Sequence, residues 1–208
     1  MKKKVFIIAI IICVATSVFA QGRDMTEEQM ASFKDRCVEY IEALQYGLEI
    51  IGDKHQPKEV KTHYKKNVLD FFMGRGEPYQ IKDSNGHSKM QPSVRMFVSK
   101  LGSDTPKPMP MKDYLTHLET LPYAVVKITK AATCKISNFY PVPGSPDKYT
   151  ATATFFQYFE GKNREGVTIY KDHTQKDVTI FISKVVDGNL GEFWDIKFGD
   201  INVAETSE

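Results

Sequence analysis

FVSKLGSDTPKPMPMKDYLTHLETLPY, residues 97–123, decides how the chain divides. Phe97 and Val98 end a strand-like run. Residues 104–110 then hold Pro106, Pro108 and Pro110. Proline fixes φ and lacks a backbone donor, so this stretch resists both helix and central strand. From Met111 the pattern changes. Met111, Tyr114, Leu115, Leu118 and Leu121 fall on one face at helical spacing, and Pro122 ends the run. A lone amphipathic helix therefore stands between two parts of different character.

Upstream, the chain is helical first. Thr26 followed by Gln29 reads as a capping box. Met30, Phe33, Cys37, Ile41, Leu44, Leu48 and Ile51 recur at steps of three and four, and Gly52-Asp53 closes the run. Pro57 suits the first turn of a second helix carrying Val60, Tyr64, Val68 and Phe72, which Gly74-Arg75-Gly76 stops. Glu77 to Lys82 reads as a strand, Asp83 to Gly86 as its turn, and Val94 to Val98 as the returning strand.

Downstream, the chain is almost wholly β. Val126, Ile128, Ala132, Cys134 and Ile136 share parity within Val125 to Phe139. Tyr149 to Phe159 is rich in Thr and aromatics, as strands are. Val167 to Tyr170 and Asp177 to Val186 read as two strands, the second with Val178, Ile180 and Ile182 on one face. Phe193 to Val203 is the last, with Trp194, Ile196 and Phe198 on one side, and residues 204–208 read as a frayed tail.

The N-terminus reads as a secretory signal peptide. Lys2 to Lys4 precede an apolar run from Val5 to Val14, and Ser17-Val18-Phe19-Ala20 supplies a cleavage site before Gln21. The run is shorter than the ~20 residues a spanning helix needs. Of 208 residues, removal of the first 20 leaves 188, enough for one domain over 21–208. Three of the 28 Lys and Arg lie in the removed segment, leaving 25 against 26 Asp and Glu. A mature net charge near −1 gives no electrostatic case for a nucleic-acid or anionic-membrane partner. The expected destination is the periplasm, the cell surface or the medium. There, a disulfide between the two remaining cysteines, Cys37 and Cys134, competes with two separate buried thiols. No His/Cys spacing suggests a metal, and no cofactor is expected.

This order of elements resembles the nuclear transport factor 2-like superfamily, also called cystatin-like α+β. Tyr114 to Tyr123, Phe156 to Gly161, Tyr170 to Thr174 and Trp194 to Ile201 resemble segments of secreted Bacteroidetes proteins of unknown function with that fold. The resemblance implies N-terminal helices packed in a curved antiparallel sheet that forms a cone, with the lone helix closing its floor and edge. Ketosteroid isomerase and scytalone dehydratase, in the same superfamily, work with Asp, His and Tyr inside the cone. Their motifs are not matched residue for residue here, so no catalytic role is carried over.

Candidate site residues compete with plainer readings. Asp113 and His117 are neighbours on the lone helix beside Tyr114, and a solvated ion pair is the plainer reading. Asp172 and His173 are adjacent, so a strand would send them to opposite faces, and a charged turn or surface is the plainer reading. Tyr158, Tyr170 and Trp194 are the aromatics expected to line a pocket, against a cone simply filled by the helices. No Gly-x-Ser-x-Gly elbow, His-Glu-x-x-His or phosphate loop occurs. The sequence favours a non-catalytic binding or interaction domain with an apolar pocket, for a small apolar ligand or a protein partner. The alternatives are a homodimer assembled through its sheet and a cofactor-free isomerase or dehydratase.

Overall fold

Helix α1, Glu27–Gly52, begins where the capping box places it. The Thr26 hydroxyl accepts from the Gln29 N–H at 3.2 Å, and the Gln29 side chain accepts from the Thr26 N–H at 3.0 Å. Its stripe of Phe33, Cys37, Ile41, Leu44, Leu48 and Ile51 is buried, each large side chain contributing ~1.5–3 kcal/mol of hydrophobic transfer. These features come from a computed structural model that describes residues 25–82, 87–99 and 105–207. The expected signal peptide, residues 1–20, and the turn expected over Asp83 to Gly86 lie outside the described residues.

Helix α2, Lys58–Asp70, crosses α1 closely. A Cβ on Gly47 would lie 2.5 Å from Val68 Cγ2, so only glycine permits that approach. A small antiparallel hairpin follows, β1 (Tyr79–Lys82) with β2 (Ser88–Gln91). The returning strand is thus Ser88–Gln91. The Val94 to Val98 segment instead forms β3 (Arg95–Val98) of the main sheet. Residues Lys107–Pro110 form a short strand, β4, despite two prolines. It lies at the sheet edge beside β3, where missing donors cost least. Helix α3, Met111–Thr120, follows directly, with Met111, Tyr114, Leu115 and Leu118 buried.

The remaining strands are β5 (Val125–Ile136), β6 (Tyr140–Val142), β7 (Ser145–Lys162), β8 (Thr168–Asp187) and β9 (Gly191–Ser207). The main sheet runs β4-β3-β9-β8-β7-β5, with β6 on β7. The class is the expected α+β, helices against a curved sheet. The sheet is mixed rather than wholly antiparallel, because β3 pairs parallel to β9. That junction is pinned by charge: Arg95 donates to the Asp200 carboxylate from its backbone N–H at 2.9 Å and from its guanidinium at 3.0 and 2.6 Å.

Two further expectations are corrected. Strand β8 is continuous through residues 171–176, and β9 extends to Ser207, so neither a turn nor a frayed tail interrupts the sheet. Among the described residues no helix is long and apolar enough to cross a membrane.

Candidate functional site: a cavity between the third helix and the sheet

Successive side chains of a strand alternate faces, so β8 places Tyr170, Asp172, Thr174, Lys176, Val178, Ile180 and Ile182 on the inner side. Val178, Ile180 and Ile182 are fully buried in the core. The four polar members line a cavity of about 530 Å³. Tyr114, His117 and Leu118 of α3, with Leu121 just beyond its end, form one wall, Phe97 and Val98 of β3 with the following Ser99 another, and Gln157 and Phe159 of β7 extend the inner one. The cone is therefore open at this end.

Helix α3 is held over the cavity at its C-terminal end. Lys54 Nζ donates to the Glu119 carbonyl at 2.8 Å, and Lys65 donates to the Glu119 carboxylate. Cations there complement the helix dipole. The hydrogen bond from Lys65 holds the Glu119 carboxyl below its usual range.

An aromatic corner closes the side nearest β5. Tyr123 stacks on Tyr170 with centroids 5.9 Å apart and meets Phe159 edge-on at 5.8 Å. The ring lies flat over β7 because residue 161 is glycine. A Cβ there would sit 2.5 Å from Tyr123.

The polar groups converge on Asp172. Tyr170 Oη donates to Asp172 Oδ2 at 2.8 Å, and Thr174 Oγ1 makes a longer contact with Oδ1 at 3.4 Å. Burial, then this hydrogen bond to a carboxylate, raises the Tyr170 phenol well above its ordinary pKa. Tyr114 is raised too, by burial and secondarily by the Asp172 charge. Both phenols therefore remain donors at neutral pH. Lys176 is only 5% exposed. Its ammonium has one side-chain partner among the described residues, Met96 Sδ at 3.8 Å, a weak acceptor. Burial pushes its pKa down to about 8, against the opposing pull of Asp172. Gln157, also buried, has no side-chain hydrogen bond among the described residues.

The sequence candidates separate cleanly. Tyr114, His117 and Tyr170 line the cavity, His117 as an exposed rim residue. Asp113 is exposed and does not line it. Tyr158 lies on the outer face of β7, stacked on His173 at 4.2 Å and 6°. The adjacent Asp172 and His173 do face opposite sides of β8. His173 Nε2 is buried without a hydrogen-bond partner among the described residues. Trp194 faces inward but belongs to the core, between Phe33 at 6.0 Å and Tyr149 at 5.9 Å. Cys37 and Cys134 are free thiols, not bridged. Burial raises Cys37 to about 12, with the Cys134 charge adding to it, and raises Cys134 to about 11. Neither is a thiolate nucleophile at neutral pH.

Lys176 and Gln157 were not singled out by the sequence, and Asp172, with Thr174 after it, was weighed only as part of an acid–base pair against the plainer reading of a charged turn or surface. A signal existed: the Val178-Ile180-Ile182 parity, carried back by twos, reaches Lys176, Thr174, Asp172 and Tyr170. Among the described residues no cluster of three or more His, Cys, Asp or Glu is placed to hold a metal ion.

Fold and cavity together define an α+β protein with an internal pocket, apolar-walled and charged at one side. No family model matches the chain, and no curated relative does. Its shape is similar to a crystal structure of a protein provisionally named a scytalone dehydratase, from Novosphingobium aromaticivorans. The TM-score is 0.41 and the identity 11%, over 86% of this chain and 90% of that one. At that similarity neither fold nor function passes from one protein to the other.

Proposed function

We propose that this chain is an exported pocket protein of the nuclear transport factor 2-like superfamily, from a secreted Bacteroidetes branch. It binds a small apolar molecule whose polar end meets Asp172 and Lys176. The observation that carries the reading is the open cavity of about 530 Å³, within the volume range of small-molecule sites and lined by aromatic side chains with a few convergent polar groups. Export rests on the n-region, apolar run and cleavage site of residues 1–20.

A second reading, acid–base catalysis of the isomerase or dehydratase kind, is favoured by one feature. The carboxylate of Asp172, the phenols of Tyr170 and Tyr114 and the amine of Lys176 all face one space. Such chemistry needs an acceptor and a donor on the same bound molecule, and this wall offers both.

The test is thermal stabilisation of the mature protein, residues 21–208, by a panel of small apolar compounds bearing carbonyl or hydroxyl groups. A ligand of the native state raises the midpoint as its concentration exceeds Kd, by about 2.7 kcal/mol at a hundredfold excess. Compounds that bind here shift the parent chain and shift Val203→Trp, which fills the cavity wall, less or not at all. A panel without any shift, or shifts equal in the filled variant, would remove the pocket reading. A turnover assay on the binders separates the two readings. If the site is catalytic, the parent chain converts a binder and Asp172→Asn abolishes the conversion; if it is not, the parent chain converts none and the substitution weakens binding alone.

A further inference from the structure

We propose that Lys176 is an imine-forming lysine, and that the cavity takes an apolar aldehyde or ketone whose carbonyl carbon is attacked by its amine. This deepens, and rests on, the reading of the cavity as a small-molecule site.

Three observations carry it. First, Lys176 is a lysine almost wholly withdrawn from water, projecting from the middle of β8 into a cavity rather than towards a surface counter-ion. Burying an ammonium without a paired carboxylate is costly, and a fold keeps one only where packing leaves no other course or where the amine is used. Second, its one side-chain partner among the described residues is a thioether sulfur. Methionine holds the chain in place without fixing the proton on the nitrogen. Third, the surrounding charge is of the sign an imine needs. Asp172 stands on the same face of the same strand, and its field reaches Lys176. The iminium, the protonated form of the imine, is positively charged, and that field stabilises it. A carboxylate ligand placed at Lys176 would instead meet the same field unfavourably, so a neutral electrophile fits the wall better than an anion.

The protonation state agrees with the geometry. With a pKa of about 8, roughly a tenth of the amine is free at pH 7. An exposed lysine offers far less, and a desolvated lysine in an apolar pocket is a recognised way of activating that nucleophile. The free amine adds to the carbonyl carbon, and the C=O π pair moves to oxygen, which takes a proton. Nitrogen gives up one proton on addition, and its second leaves with the hydroxyl as water when C=N forms. One amine and one carbonyl give one imine and one water, with no change of oxidation state and no further reactant. Taking up one proton from water, the imine becomes an iminium, which draws electrons from the ligand's neighbouring carbon, where Asp172 is the one carboxylate in the described wall able to take a proton.

The experiment uses mature protein with benzaldehyde and sodium cyanoborohydride, which reduces an imine to a stable secondary amine. Benzoylacetone, which gives an enaminone without reductant, is the second probe. Intact mass and peptide mapping are read beside the thermal shift produced by benzaldehyde alone. The expected result is one adduct per chain, mapped to Lys176 and lost in both Lys176→Arg and Lys176→Met, each shown folded by its own melting curve. A thermal shift with adducts scattered over exposed lysines, or with the Lys176 adduct absent, overturns the imine and leaves the pocket standing. The absence of both shift and adduct with both probes overturns the imine, and the missing shift counts separately against the pocket.

Discussion

The two ends of the inner face of β8 have the same strand geometry and opposite fates. Val178, Ile180 and Ile182 lie beneath the helices with no exposure at all. Tyr170, Asp172, Thr174 and Lys176 lie on the same face a few residues earlier and border empty space. What differs is the cover. The 26-residue α1 buries its long apolar stripe on the sheet, whereas α3 has only 10 residues and spans the other end from one side. A strand under full cover must be apolar. A strand under partial cover can hold charge, because water or a ligand can reach it. The contrast teaches that the site is made by the shortness of α3 as much as by the residues facing it.

The largest test of this contrast is truncation at each end. Ile180→Ala removes atoms from a packed core and should cost about 2–5 kcal/mol, as buried Ile or Leu truncations do. Thr174→Ala removes atoms that already face a cavity and should cost under about 1 kcal/mol, since no new void forms in packed surroundings. Urea midpoints with unchanged slope measure both. Equal costs would mean that the cavity end is packed as tightly as the core.

Next comes Lys176→Met. The folded amine binds its proton with a pKa of about 8 against 10.5 for an unperturbed lysine. Between those values the unfolded chain holds more protons than the folded one, so stability rises with pH across that window. Below about 8, both states are charged and the full burial penalty, about 3 kcal/mol, weighs on the fold. Replacing the amine by a thioether of similar length should therefore stabilise the protein at pH 7 by up to that amount and flatten the rise above pH 8. Above pH 10 the raised phenols of Tyr114 and Tyr170 work in the opposite direction, because unfolded tyrosine ionises first. A variant that loses stability at pH 7 would show that Lys176 is satisfied where it sits.

How much of this was legible in the sequence follows from the same physics. Helices α1 and α3 have one wet and one dry face, so their 3.6-residue period is plain in Phe33-Cys37-Ile41-Leu44 and in Met111-Tyr114-Leu115-Leu118. The apolar end of β8 shows its period of two for the same reason. Its cavity end does not, because Asp172 and His173 are polar on both sides of the sheet. The alternation of hydrophobicity vanishes while the alternation of direction persists, and a continuous strand reads as a turn. Pro108 and Pro110 mislead in a different way: the cost of a missing donor depends on whether the strand is at an edge, which is a fact of topology. Tyr158 and Trp194 are aromatic at strand positions, and aromaticity alone does not distinguish outer face, core and cavity wall. The opening itself is a matter of how far a 10-residue helix reaches across the sheet, which no periodicity encodes.

The smallest effect, and the finest probe of the cavity end, is Tyr170→Phe. The ring is kept, so its stacking on Tyr123 at 5.9 Å and its edge contact with Phe159 at 5.9 Å are unchanged. What is lost is the 2.8 Å bond to Asp172, leaving that carboxylate with the 3.4 Å contact to Thr174. A hydrogen bond to a charged group contributes about 1.5–3 kcal/mol, and a partly exposed one falls at the low end, so the urea midpoint should fall modestly. The effect on bound ligand should exceed the effect on stability, because Asp172 loses the donor that fixes its orientation towards the cavity. A drop in stability with no change in the ligand's thermal shift would assign the Tyr170–Asp172 pair to the fold. The reverse pattern would assign it to the site, and so place the boundary between core and cavity on β8 at Lys176.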